Sequence, residues 1–143
     1  MARTLHRTVS TRTSADRVFT YLADFSTAAE WDSGTVSCTR ISGDGGPGTV
    51  YRNVSRFAGR EVELDYTVVS CEAPTVVFEG RNATVVSRDT ITVTPQGDGA
   101  LVDYLAEFTF SGVGRWLGPI MQPLLERLGD ATAAQLGRTL DTL

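Results

Sequence analysis

Lysine is absent. All 13 basic residues of this 143-residue chain are arginine, and no run of them forms the phosphate-tracking stripe that nucleic-acid binding needs. Against 17 acidic residues they leave a net charge of −4, which excludes nucleic acid as the expected partner. Histidine occurs once and cysteine twice. His6 alternates with Leu5 and Arg7 in a strand-like run, and a lone imidazole gives neither a metal site nor a base for a Ser or Cys nucleophile. Cys38 and Cys71 each sit in a strand-like run and read as small buried or half-buried thiols, a bridge between them being the alternative. The sequence therefore requires no metal and no cofactor. No apolar run approaches the roughly 18 residues of a membrane span, and no apolar stretch follows the bases of the N-terminus, so integral membrane association is not expected and the expected location is cytoplasmic.

What is present describes a globular chain. A hydrophobic share of 41% with 21% charged residues excludes a disordered tail and a coiled coil, and no linker or repeat divides the sequence, so one domain over residues 1–143 is expected, as a monomer or weak dimer. Residues 3 to 11 read as a strand. Ser14 is placed to cap a short helix carrying Ala15, Val18, Phe19 and Leu22, and Ser26 to cap a second over Thr27 to Trp31. From Thr35 to Phe110 the period changes to two, and turn signals cut the stretch into strands at 35–41, 49–57, 61–71, 75–81, 85–94 and 100–110. Connections this short demand antiparallel neighbours. The last 30 or so residues return to helical spacing, predicting a helix over 114–142. Pro119, Pro123 and Gly129 predict an irregular start or kink there, and Leu136 and Leu140 fall off the stripe set by Leu117 to Leu128.

Alternation assigns the faces. Val62, Leu64, Tyr66 and Val68 oppose Glu61, Glu63, Asp65 and Thr67, so the first set faces inward. The same argument turns Tyr51, Asn53, Ser55 and Phe57 inward and Arg52 and Arg56 outward. Ser87 and Asp89 go inward with Ile91 and Val93, leaving Arg88 outside, and Val102, Tyr104, Ala106, Phe108 and Phe110 go inward from the last strand. A concave face mixing large apolar groups with hydroxyls, an amide and a carboxylate implies either a ligand cavity or a self-satisfied network, because unpaired polar groups are costly in a dry core. Asp89 is the inward titratable group that could move a proton, with Tyr51, Tyr66 or Tyr104 beside it. Gly43, Gly45 and Gly48 have the spacing of a dinucleotide motif, but a strand follows instead of a helix, so they read as a hairpin loop. The glycosylation patterns at Asn53-Val54-Ser55 and Asn82-Ala83-Thr84 require secretion and are expected to stay unmodified.

The order strand, two short helices, six-strand meander and long C-terminal helix resembles the helix-grip fold. Within it, the residues resemble the polyketide cyclase/dehydrase-like branch of the START and Bet v 1-like superfamily. The segments that carry this are Asp16 to Phe25, Glu30-Trp31-Asp32, Gly48 to Asn53, Gly59-Arg60-Glu61 and Arg88 to Val93. The resemblance implies an α+β fold in which a curved seven-stranded antiparallel sheet wraps the C-terminal helix, and a small hydrophobic ligand, such as a lipid, isoprenoid or polyketide, lies between them. Trp31 is then expected at the wall or mouth. The expected sheet lining is Tyr51, Asn53 and Phe57 from one strand, Leu64 and Tyr66 from the next, then Phe78, Asp89 and Ile91, and finally Tyr104 and Phe108. From the helix it is Leu117, Met121, Leu124 and Leu125. Two alternatives accompany binding: a polyketide cyclase, aromatase or dehydratase using Asp89, and a non-catalytic interaction scaffold. The aromatase/cyclase relatives use pocket arginines, whereas Arg52, Arg56 and Arg88 alternate outward here. Residues 112 to 122, with the Gly43 to Gly48 loop, are expected to form the gate.

Overall fold

Each change of hydrophobic period marks a change of element in the computed structural model, which describes residues 2–112 and 118–143. The strands are β1 (Ala2–Thr11), β2 (Thr35–Ser42), β3 (Val50–Phe57), β4 (Arg60–Glu72), β5 (Thr75–Arg81), β6 (Val85–Gln96) and β7 (Gly99–Phe110). Their spatial order is β1-β7-β6-β5-β4-β3-β2, and every neighbouring pair is antiparallel. Short hairpins lay β2 to β7 side by side in chain order, so the connection from β1 to β2 must cross from one edge of the sheet to the other. That crossing carries helix α1 (Ala15–Ala23), a single 3-10 turn at Phe25–Thr27 and helix α2 (Ala28–Trp31). Helix α3 (Gly118–Asp141) follows β7. This is the helix-grip arrangement, with each strand boundary within two residues of the sequence expectation. The expected helix start at 114, the lining residue Leu117 and the centre of the expected gate lie outside the described residues.

Local caps differ from the sequence reading. Ser14 occupies the N-cap of α1 without a side-chain capping bond. The 3-10 turn is capped by Asp24, whose carboxylate accepts from the Ser26 backbone N–H at 3.1 Å, so Ser26 is the residue being capped. Thr27 stands at the N-cap of α2, and its hydroxyl accepts from Trp31 Nε1 at 3.1 Å, which fixes the indole.

These short helices fill one end of the concave face. Phe25 plugs it, with its ring centroid 4.4 Å from Phe78, 4.6 Å from Tyr66 and 6.1 Å from Tyr51. Val18, Leu22, Phe78 and Ile91 are completely buried. A bulge between Val68 and Ser70 reverses the phase of β4: Val68 is buried, Val69 is exposed and Cys71 packs against the core, as one extra residue in a period of two requires.

The phase change expected in the last helix has a different meaning from a bend. Leu125, Gly129, Thr132, Leu136 and Leu140 are all buried, and their spacing of three or four places them on one stripe. Helix α3 runs through Pro123 and Gly129 without a break. Leu128 and Met121 lie on the flank of this stripe and face a cavity instead of packed core. Gly129 lets α3 approach β1, since a Cβ there would lie 2.3 Å from Leu5 Cδ1. Arg7 of β1 ties down the same stretch through Glu126 at 2.8 Å and Asp130 at 3.0 Å.

Candidate functional site

Between the unplugged half of the concave face and α3 lies a cavity of about 360 Å³. From the sheet it is walled by Phe57, Val62, Leu64, Val85, Phe108 and Phe110, and from α3 by Met121, Leu125 and Leu128. Phe25 and Trp31 close its inner end, and Leu5 borders it from β1. The walls are apolar because both contributing patterns, period two in the sheet and the α3 stripe, direct their hydrophobic sides here.

Polar side chains enter at two places. On the floor, Asp89 is 2% exposed and accepts hydrogen bonds from Ser87 Oγ at 2.8 Å and Tyr104 Oη at 2.9 Å. Burial pushes its carboxyl up to about 6; the two hydrogen bonds oppose this and the charge of Asp32 adds to it. Burial likewise pushes the Tyr104 and Tyr66 phenols well up, with the Asp89 charge adding in both cases. Tyr66 also lines the cavity, and its ring lies flat over Gly80, its cross-strand partner. A Cβ at Gly80 would stand 2.7 to 2.8 Å from three atoms of that ring. Gly80→Ala is therefore expected to displace Tyr66 and to cost about 1–2 kcal/mol in denaturant unfolding through overpacking; an unchanged midpoint would show that the ring is not held there.

The second polar group joins the wall to α3. Asp32 accepts from Thr132 Oγ1 at 2.9 Å and from Thr35 Oγ1 at 2.7 Å, while the Ser33 backbone N–H donates to Thr132 Oγ1 at 3.3 Å. Asn53 donates to Thr35 Oγ1 at 3.1 Å and accepts from Ser55 Oγ. Among the described residues no fully buried side-chain polar atom lacks a partner. A cavity and a satisfied network, alternatives in the sequence, thus coexist. Thr132→Val keeps the shape but removes a donor to a carboxylate and an acceptor for Ser33. It is expected to lower stability by about 1–2 kcal/mol, read as a shift in urea midpoint at constant slope.

Of the side chains expected to line a pocket, Trp31, Asn53, Phe57, Leu64, Tyr66, Asp89, Tyr104, Phe108, Met121 and Leu125 border the cavity. Tyr51, Phe78 and Ile91 do not: they point inward as expected but lie in the packed core, Phe78 and Tyr51 beneath Phe25. Leu124 is half-buried and is not part of the lining. Arg52, Arg56 and Arg88 do lie outside, paired with Asp65, Glu61 and Glu79. Among the described residues, the arginine that reaches the cavity is Arg60, exposed at its rim. Its signal was present in the sequence, because position 60 shares the inward parity of Val62 and Leu64. The turn signal before it sets the expected start of the strand one residue later, at 61. Gly80 likewise shares the inward parity of Phe78, and a glycine inside a strand marks a close approach.

Comparison with known proteins follows the same outline. The chain superimposes on a START superfamily protein from Mycobacterium smegmatis with a TM-score of 0.82 at 16% identity, over 97% of each chain. It superimposes on the ZhuI aromatase/cyclase of a Streptomyces species with a TM-score of 0.81 at 15% identity, over 99% of this chain and 94% of that one. For truncated norcoclaurine synthase from Thalictrum flavum the values are 0.72 and 18%, over 98% and 94%. Identities this low establish a shared fold. A search of curated proteins returned no match. The family profile described as polyketide cyclase/dehydrase and lipid transport matches residues 2–141, from the first residues of β1 to the end of α3, so the chain belongs to that family.

Proposed function

We propose that this chain binds a small, mainly apolar molecule without covalent chemistry in the cavity between the sheet and α3. The observation that supports this is an interior that is not packed solid: about 360 Å³ falls within the ~300–1,000 Å³ range of small-molecule sites, and a mostly apolar wall with a few placed polar groups is their usual composition. A two-ring ligand burying on the order of 250 Å² at ~25 cal/mol per Å² would gain about 6 kcal/mol, which corresponds to a Kd of tens of micromolar before any hydrogen bond is counted. Nile red, a neutral dye that brightens in apolar surroundings, is expected to titrate to saturation at one site per chain. A linear, unsaturable signal would refute the reading.

One observation favours a second reading, acid/base catalysis on the bound molecule: Asp89 faces the cavity with its carboxyl near 6 and is bonded to a phenol. Covalent routes through a Schiff base are not open to it, since the chain has no lysine. Asp89→Asn separates the two readings. A binder retains affinity for apolar ligands, whereas an acid/base enzyme loses turnover by about 10²-fold or more.

A further inference from the structure

The groups that face the cavity are chemically one-sided, and we propose that its floor selects an apolar ligand whose inner end donates a hydrogen bond from a neutral hydroxyl, and rejects one whose inner end is a carboxylate. This rests on the reading of the cavity as a ligand site and adds the chemistry of the ligand's buried end.

Two carboxylates, Asp89 and Asp32, border the cavity. The hydroxyl hydrogens around them are already committed: Ser87 and Tyr104 donate to Asp89, Thr132 and Thr35 to Asp32, and Ser55 to Asn53. A hydroxyl that has spent its proton in this way offers only lone pairs to a newcomer. Among the described lining residues the sole cation is Arg60, and it sits at the exposed rim. Tyr66 is the exception on the floor. It is 8% exposed and lines the cavity, and its hydroxyl lies within hydrogen-bond reach of Ser87, whose own proton goes to Asp89, so the phenol proton is committed to no carboxylate and can turn to a ligand oxygen.

A ligand hydroxyl matches this arrangement on both sides. Each Asp89 oxygen accepts one protein hydrogen bond and retains capacity for another, so the ligand O–H can donate to Asp89 while its oxygen accepts from Tyr66. An ionised ligand carboxylate would face Asp89 and Asp32 across a low-dielectric interior, with only neutral donors to meet it, the Tyr66 phenol beside Asp89 and the second Nδ2–H of Asn53. An ammonium would pair with Asp89 but leave its other N–H groups against apolar walls. The groups facing Asp89 are Ser87 on its own strand, Tyr66 from β4, Tyr104 from β7 and Asp32 from the turn after α2. The described α3 side chains bordering the cavity are Met121, Leu125, Leu128 and Thr132, none of them titratable. Protonation of Asp89 below about 6 therefore removes one negative charge and weakens the bias against carboxylates.

Displacement of Nile red by four probes that share a ring system tests the filter: naphthalene, naphthol, naphthoate and naphthylmethylamine. At about pH 7.5 naphthol is expected to bind roughly tenfold tighter than naphthalene, and naphthoate at least about tenfold weaker. Asp89→Asn should bring naphthoate to within about threefold of naphthalene, and Tyr66→Phe should weaken naphthol about threefold to tenfold relative to naphthalene measured on the same variant. Lowering the pH to about 5 should narrow the naphthoate gap in the wild type but not in Asp89→Asn. Naphthoate binding as tightly as naphthol, the amine binding tightest, or a ranking unmoved by both substitutions would each overturn the inference while leaving the cavity reading intact. If neither Nile red nor any probe binds, the cavity reading fails and takes the inference with it.

Discussion

Asparagine in place of Asp89 is expected to stabilise the protein above pH 6, by as much as about 3 kcal/mol at neutral pH, and to change the shape of its pH profile. The folded carboxyl retains its proton up to about 6, whereas the unfolded one releases it near 3.8. Between those values the folded state binds more protons, so the wild type loses stability as pH rises from 3.8 to about 6 and levels off beyond. Two units at about 1.4 kcal/mol each give the upper figure, reduced by whatever weaker hydrogen bonds a neutral amide makes with Ser87 and Tyr104. Urea unfolding of both proteins between about pH 4 and pH 8 should show curves that lie close together at the acid end, separate from about pH 4 to 6 and run parallel above. Curves parallel throughout would mean that Asp89 is ionised at no cost where it sits.

The larger functional effect belongs to Met121→Trp combined with Leu128→Trp. Both side chains border the cavity from α3 and both are half-buried, so indoles at these positions can fill the void without displacing Leu125 or Leu136 from the core. Affinity for Nile red and naphthalene is expected to fall about 100-fold, equivalent to about 2.7 kcal/mol, with Tm unchanged or higher because a void has been filled. Undiminished binding in a folded double variant would place the ligand site elsewhere.

The sequence carried the faces of this molecule better than the neighbours of each face. Along β4, strict alternation from Glu61 to Val68 fixed which side chains point inward, and the structure agrees at each of Val62, Leu64, Tyr66 and Val68. It did not tell Tyr51, Phe78 and Ile91 apart from Asn53, Leu64 and Asp89. All six point inward, and only the position of Phe25 and the short helices decides which half of the face is plugged and which is hollow. That is a contact between segments far apart in the chain, and period two holds no information about it. The α3 stripe shows the same limit. Leu136 and Leu140 fall off the Leu117 to Leu128 stripe because the described part of that stretch, from Met121 on, divides its apolar surface between core and cavity. Arg60 and Gly80 are legible in parity, yet neither looks like lining by residue type, and Arg60 falls one residue before the strand expected at 61–71. Asp89 reads from the sequence as inward and titratable with Ser87 on the same face; the choice of Tyr104 among the three tyrosines needs the β6–β7 register that brings Ile91 opposite Tyr104.

Native mass spectrometry of freshly purified wild type beside the Met121→Trp, Leu128→Trp variant shows whether the cavity under α3 holds the ligand. The wild type is expected to retain a stoichiometric adduct of a few hundred daltons, or to take up one equivalent of added naphthol, and the variant to do neither under the same conditions while remaining folded. Equal adducts on both proteins, or none on either at ligand concentrations well above tens of micromolar, would contradict it.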